Sequence, residues 1–174
     1  MNRRLTLLRH AKSSWDDAAQ SDRERPLNKR GLRDAPRMGQ RFAEQRPIPA
    51  KIISSDAERA QETARIIASQ FGYKADTVVT DSRLYLASAR HILEVLESVG
   101  SGEQNLMVVG HNPGMTELAN LIANVRIDNM PTCAALCIET DVQDWRELVT
   151  KPGNLVWYDY PKKTATGLSE NTLI

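Results

Sequence analysis

A chain of 174 residues is the length of one domain, large enough to bury about 70% of the surface its unfolded form exposes. Its 41% hydrophobic and 26% charged residues suit a globular protein, and a net charge of +1 supplies no bulk field to draw nucleic acid or an anionic membrane. No apolar run approaches the ~20 residues of a membrane span.

The stretch behind Met1–Arg4 is too short for a signal peptide. Leu5–Leu8 is an apolar run that stops at Arg9-His10 and opens into the polar segment Ala11–Trp15. That is the pattern of a buried parallel strand delivering its last residues to a site at its carboxyl end. Asp16–Arg25 reads as a surface loop. Asn28 then caps a helix in which Leu32, Ala35, Gly39 and Phe42 share a face, with Pro36 expected to kink it or delay its start. The opposite face carries Arg30, Arg33, Arg37 and Arg41 and reads as solvated; docking of an acidic or phosphorylated partner is the other reading. Lys51–Ser55 predicts a second strand, and Ser55 with Glu58 predicts a capping box. The helix they open keeps Ala60, Ala64, Ile67, Ala68 and Phe71 on one face and stops at Gly72. Arg59 therefore falls in a first turn, close to a strand end.

Thr77–Thr80 is a third candidate strand. Ser88 caps a helix with Ala89, Ile92, Leu93, Leu96 and Val99 inward and His91 outward. Leu106–Gly110 is the clearest buried strand and ends in His111-Asn112-Pro113-Gly114, with Asn112 as cap and Pro113 at the first helical position. The next helix buries Met115, Leu118, Ile122 and Val125. Ala134–Ile138 and Trp145–Val149 read as strands joined by the acidic turn Asp141–Asp144, and the turn Lys151–Asn154 leads into Leu155–Tyr158. Cys133 and Cys137, if both on one strand, stand ~13 Å apart and cannot bridge. They read as small core residues of a cytoplasmic protein. The alternation of strands and helices predicts an α/β three-layer sandwich, a mostly parallel sheet with antiparallel strands added at its C-terminal edge. Residues 1–160 are expected to form a single domain and 161–174 a tail.

Three strand ends thus present Arg9 with His10, Arg59, and His111. Two guanidiniums make bidentate contacts suited to a phosphoryl group, and two imidazoles offer one nucleophile and one donor to developing charge. Neither a phosphate-binding loop of the glycine-lysine type nor a dinucleotide fingerprint is present. A Gly-x-Ser-x-Gly elbow is missing too, and the histidines lack metal-ligand spacing.

Leu8–Trp15, Ser54–Ala64 and Val109–Gly114 resemble the three signatures of the histidine phosphatase superfamily. The chain looks most like its SixA-type phosphohistidine phosphatases, over residues 5 to about 160. The resemblance implies a phosphoglycerate-mutase-like fold. It also implies transient phosphorylation of His10, a phosphate held by Arg9 and Arg59, and His111 completing the pocket. The chemistry of these residues agrees: nearby arginines disfavour the imidazolium, so His10 is neutral and able to attack phosphorus. The spread negative charge of the transferring group calls for positioning and electrostatic stabilisation. Ser13 and Ser14 either donate hydroxyls to the phosphate or serve packing and turns, and the helix at Asn112 points its positive end at the anion. Neither metal nor cofactor is expected.

Larger members of the superfamily carry a general-acid carboxylate between the second and third motifs, where Leu84–Ala87 offers none here. An alkoxide leaves poorly without a proton, whereas a phosphohistidine protonated on its other ring nitrogen leaves as neutral imidazole and needs less help. Asp16 or Asp17 is the remaining candidate acid. The expected activity is therefore dephosphorylation of phosphohistidine in a protein. Hydrolysis of small phosphate monoesters is the alternative, and a non-catalytic phosphate-binding module is the alternative of a different class. Expected partners are a phosphorylated protein or small phosphorylated compound, with no nucleic acid or membrane, for a monomer.

Overall fold

β1 (Arg3–Arg9) lies in the interior of a six-stranded sheet in the computed structural model, which describes residues 2–164. Along the chain follow α1 (Lys29–Glu44), β2 (Lys51–Ser54), α2 (Glu58–Gln70), β3 (Val78–Thr80), α3 (Ala89–Gly100) and β4 (Asn105–Gly110). Then come α4 (Gly114–Ala123), β5 (Ala135–Thr140) and β6 (Asn154–Asp159). The strand order is β3-β2-β4-β1-β5-β6. β3, β2, β4 and β1 pair in parallel, while β5 pairs antiparallel with both β1 and β6. This is the α/β sandwich with a mixed sheet that the strand–helix alternation predicts.

Successive strand residues point to opposite faces, so each buried strand feeds two cores. Leu5, Leu7, Ile53, Leu106 and Val108 pack with α3 and α4 on one face. Leu8, Ile52, Met107 and Val109 pack with α1 and α2 on the other. The chain winds outward from β1 through α1 and α2, then returns through α3 to place β4 between β2 and β1. That reversal of winding leaves a crevice at the strands' carboxyl ends, where open α/β sheets bind ligands.

Several local expectations are corrected. Trp145–Val149 is a 3-10 helix rather than a strand. Asp144 and Glu147 cap it reciprocally. Trp145 is buried, with Arg3 stacked on its ring at 3.8 Å and its Nε1 donating to Gly100 O at 3.1 Å. The apolar residues of this segment therefore point into a core without joining a ladder. α1 starts at Lys29, capped by Asn28 Oδ1 accepting from Gly31 N at 2.9 Å, and continues through Pro36 without delay. Its core face is Ala35, Met38, Gly39 and Phe42, whereas Leu32 is exposed. The arginines of the other face surround buried Asp34, which pairs with Arg30, Arg33 and Arg37; Arg41 pairs with Asp159.

The capping box at Ser55 and Glu58 does not form. α2 begins at Glu58 behind Ala57, and Ser55 Oγ instead accepts from Ala57 N at 3.2 Å. α4 begins at Gly114, so Pro113 holds the cap position; Asn112 Oδ1 accepts from Thr116 N at 3.2 Å and from its hydroxyl at 2.9 Å. Cys133 precedes β5, at φ +62°, while Cys137 lies within it; both are free and buried. Of the expected tail, residues 161–164 are described and Lys163 N donates to Tyr160 O, and residues 165–174 lie outside the described region. No described helix is long and apolar enough to cross a membrane.

Candidate active site

The register of β1 against β4 places Arg9 opposite Gly110, so the next residues, His10 and His111, emerge side by side. His10 N donates to Gly110 O at 3.1 Å and extends the ladder one step past the strand. The two rings lie 5.1 Å apart. β2 ends level with β4, and Ser55 N donates to Val109 O at 3.0 Å, which brings the first turn of α2 and Arg59 over the same edge. Arg59 Nε donates to His10 Nε2 at 3.3 Å, and its Nη2 lies 3.4 Å from His111 Nδ1. Arg9, His10, Arg59 and His111 thus line one cleft of about 210 Å3.

Hydrogen bonding sets the tautomers. His10 Nδ1 lies 2.7 Å from Ala11 O, which can only accept, so Nδ1 carries the hydrogen and Nε2 keeps its lone pair toward Arg59. Thr63 supports this arrangement from α2, its hydroxyl accepting from Ala11 N at 3.0 Å and donating to Arg59 O at 2.7 Å. His111 Nδ1 faces a guanidinium, so its hydrogen lies on Nε2 and donates to Ser55 Oγ at 2.8 Å. Burial, then the charges of the neighbouring His111, Arg59 and Arg9, hold the His10 imidazolium down to about 3; its bond to Ala11 opposes this. Burial and Arg59 hold His111 down to about 3 as well. Both rings are therefore neutral near pH 7. Arg9 Nη1 donates to Met130 O at 2.7 Å, while its Nε is buried without an acceptor among the described residues.

The cleft also draws on residues that the sequence pattern did not single out. The loop after Trp15 folds back through a bridge between Ser13 and Leu27. Arg25 is thereby buried beside the cleft, its Nε donating to Ser14 O at 2.9 Å and its guanidinium bonding Ser13 Oγ and Asp22. Asp22 Oδ2 accepts from Arg59 Nη2 at 3.0 Å and from the Tyr85 hydroxyl. Burial works to raise the Asp22 carboxyl, but the hydrogen bonds from Tyr85 and Arg59 and the charges of Arg59 and Arg25 outweigh it and hold it down to about 2. The Tyr85 ring stands edge-on to His111 at 5.5 Å. Lys12, Trp15, Leu86 and Thr132 complete the lining. The sequence signal for Asp22 and Arg25 was confined to a run of charges, Asp22–Arg25, inside a segment that otherwise reads as surface loop.

The remaining expected site residues are distributed unevenly. Ser13 and Asn112 line the cleft; Ser14 does not, and its hydroxyl accepts from Asp16 N at 3.0 Å. Asp16 and Asp17 are exposed outside the lining, with Asp17 Oδ1 accepting from Ala19 N at 2.9 Å. A larger recess of about 490 Å3 lies beyond Asn112, but its lining, which includes Glu117 and Asp128, contains no basic side chain to hold an anion. Among the described residues, no group of three or more His, Cys, Asp and Glu is placed to hold a metal ion.

A family model for the histidine phosphatase superfamily (branch 1) matches residues 5–85. An uncharacterized chloroplastic protein of Arabidopsis thaliana is 32% identical over 165 residues, covering 90% of this chain and 75% of the relative. The crystal structure of SixA from Agrobacterium tumefaciens superposes with a TM-score of 0.75 at 26% identity, covering 91% of this chain and 98% of that one. A second SixA structure, a protein histidine phosphatase complexed with tungstate, matches in fold with a TM-score of 0.74 at 19% identity, over 91% of this chain and 97% of that one. The family model spans the part of the chain that holds Arg9, His10 and Arg59. Together these matches mean that this chain belongs to the histidine phosphatase superfamily.

Proposed function

We propose that the protein is a phosphatase that works through a phosphohistidine intermediate on His10 and acts on phosphohistidine in proteins. The observation that carries this reading is the fixed tautomer of His10: Nδ1 is committed to Ala11 O, and a neutral ring directs its Nε2 lone pair into a cleft lined by Arg9 and Arg59. In the first step Nε2 bonds to phosphorus as the bond from phosphorus to the substrate's ring nitrogen breaks, and that ring, protonated on its second nitrogen, departs as neutral imidazole. In the second, water bonds to phosphorus, the bond to Nε2 breaks and orthophosphate is released. Arg9 and Arg59 bind the equatorial oxygens throughout. His111 turns its Nδ1 lone pair toward Arg59, with its ring oriented by Ser55.

The choice of a P–N bond over an ester rests on Asp22. It is the carboxylate that hydrogen-bonds to Arg59, and with its carboxyl held down to about 2 it has no proton for a departing alkoxide. A phosphohistidine whose second ring nitrogen carries a proton leaves as neutral imidazole and needs none. SixA, a solved neighbour named as a protein histidine phosphatase, supports the same substrate class. We place this activity in the cytoplasm.

The test compares a phosphohistidine peptide with an aryl phosphate, using wild type and His10→Ala with chelator present. The expected result is release of phosphate from the peptide, unaffected by chelator and abolished in His10→Ala, with at most slow turnover of the ester. Rapid ester hydrolysis with an inert phosphohistidine peptide would assign the protein to small phosphate monoesters and return attention to Asp16 and Asp17 as proton donors. A wild type that binds phosphate tightly but hydrolyses neither compound would make it a binding module.

A further inference from the structure

Trp15 and Leu86 are the two most exposed large hydrophobic residues among those described, at 72% and 55%, and both line the cleft that holds His10. Scattered apolar residues on a surface are ordinary. Two at the rim of a pocket whose other walls are all polar, most of them arginine, lysine and histidine, are less so, because a bare phosphate gains nothing from them. Both are also held in place. The Trp15 ring lies 3.3 Å from the Arg25 guanidinium. Arg25 is itself buried and anchored on Ser13, Ser14 and Asp22, so one face of the indole is covered by a fixed cation. Leu86 sits at φ +50°, a left-handed conformation that costs a leucine on the order of 1 kcal/mol. Its neighbour Ala87 is pinned against α4: a Cβ added at Gly114 would fall 2.0 Å from Ala87 O.

We propose that Trp15 and Leu86 form an apolar clamp for the leaving group, selecting phosphoryl compounds in which the phosphorus is attached to a small flat ring. The charged floor takes the phosphoryl group, and the ring that departs from it lies at the indole and the leucine side chain. Stacking rewards planarity, and a hydroxylated leaving group is penalised by losing water against these two surfaces. The proposal rests on the phosphohistidine reading above, for which the ring is imidazole.

The test measures hydrolysis of phosphoimidazole, which carries the ring, and phosphoramidate, which has the same bond type without one. Wild type, Trp15→Ala, Trp15→Phe and Leu86→Ala are compared as mutant-to-wild-type ratios, so that intrinsic reactivity cancels. The expected result is a loss of about five- to tenfold in kcat/KM for Trp15→Ala on phosphoimidazole, mostly in KM, with less than twofold on phosphoramidate. Trp15→Phe retains most of the wild-type value, and Leu86→Ala shows the same selectivity on a smaller scale. Equal losses on the two compounds would mean that Trp15 only supports Arg25, and no loss on either would remove the clamp. A second readout is independent of turnover. In His10→Ala, Trp15 emission responds to phosphoimidazole and not to inorganic phosphate, and the response disappears in His10→Ala/Trp15→Phe. A response that is identical for the two ligands, or that survives without Trp15, overturns the proposal. A wild type that hydrolyses neither P–N compound but shows the ring-dependent emission change fails the phosphohistidine reading and leaves the clamp standing.

Discussion

His10 is oriented by three groups from two parts of the chain: Ala11 beside it, and Thr63 and Arg59 from α2. Replacing Thr63 by Val leaves the buried Ala11 N–H without an acceptor and loosens the carbonyl that fixes the tautomer. We expect Thr63→Val to lower kcat about tenfold with little change in KM, and Thr63→Ser to recover most of it, as steady-state kinetics on a phosphohistidine peptide will show. Asp22 occupies one edge of Arg59 and competes with phosphate for it. Asp22→Asn is expected to bind inorganic phosphate two- to fivefold more tightly, the scale of a partly exposed ion pair. It should leave the acid limb of the kcat profile in place, because a carboxyl held down to about 2 is already ionised across that range. Loss of activity together with the alkaline limb would instead make Asp22 the proton donor. Arg9, His10, Arg59 and His111 were legible in the sequence because each sits within a residue or two of a strand end or in the first turn of the helix that follows. Asp22, Arg25 and Tyr85 were not. The fold-back of the loop through Ser13 and Leu27 leaves no periodicity to read, and Tyr85 reaches Asp22 by a contact between distant loops.

Two helices meet the cleft through glycine. A Cβ added at Gly31, in the first turn of α1, would fall 2.2 Å from Lys12 O, next to Ala11; Gly114 makes the equivalent approach at the start of α4. Backbone cannot yield as a flexible side chain can. Gly31→Ala is therefore expected to cost about 2–3 kcal/mol, a Tm lower by about 5–10 °C, and to reduce kcat/KM by displacing the Lys12 segment. Gly102→Ala is the control. Nothing lies within 4 Å of the Cβ added there. Thermal melts of the two variants test the contrast. The elements themselves were largely readable where periodicity and caps agreed, as for α1, α3 and β4. The sequence misled where burial lacked a regular ladder. Trp145–Val149 has the apolar content of a strand but spends it on a single turn beneath Arg3, and Leu32 keeps the core spacing of α1 yet faces out because Met38 and Gly39 set the buried stripe.

On the scale of the whole molecule, the neutral burial of His10 and His111 ties stability to pH. Each ring is held down to about 3 from an ordinary value of 6.5, so between those limits the unfolded chain binds more protons than the folded one. This contribution is complete above pH 6.5 and is lost as pH falls toward 3; the Asp22 contribution has the same sign but is lost only below its ordinary value of 3.8. Tm is expected to fall between pH 7 and 4.5 in wild type and to fall less steeply in His10→Gln/His111→Gln, whatever that variant's Tm at pH 7. The position of β1 governs something different, the order of events as the protein is made. Both of its neighbours, β4 and β5, lie about a hundred residues or more downstream, and the loop that closes over Arg9 and His10 does so through Cys133 N, 3.1 Å from each of their carbonyls. At about 5–20 residues per second, translation leaves the strand that carries the nucleophile without partners for on the order of ten seconds after it is synthesised. The newborn chain is therefore an apolar segment exposed to chaperones and to its own copies, and it becomes an enzyme only when its last third arrives.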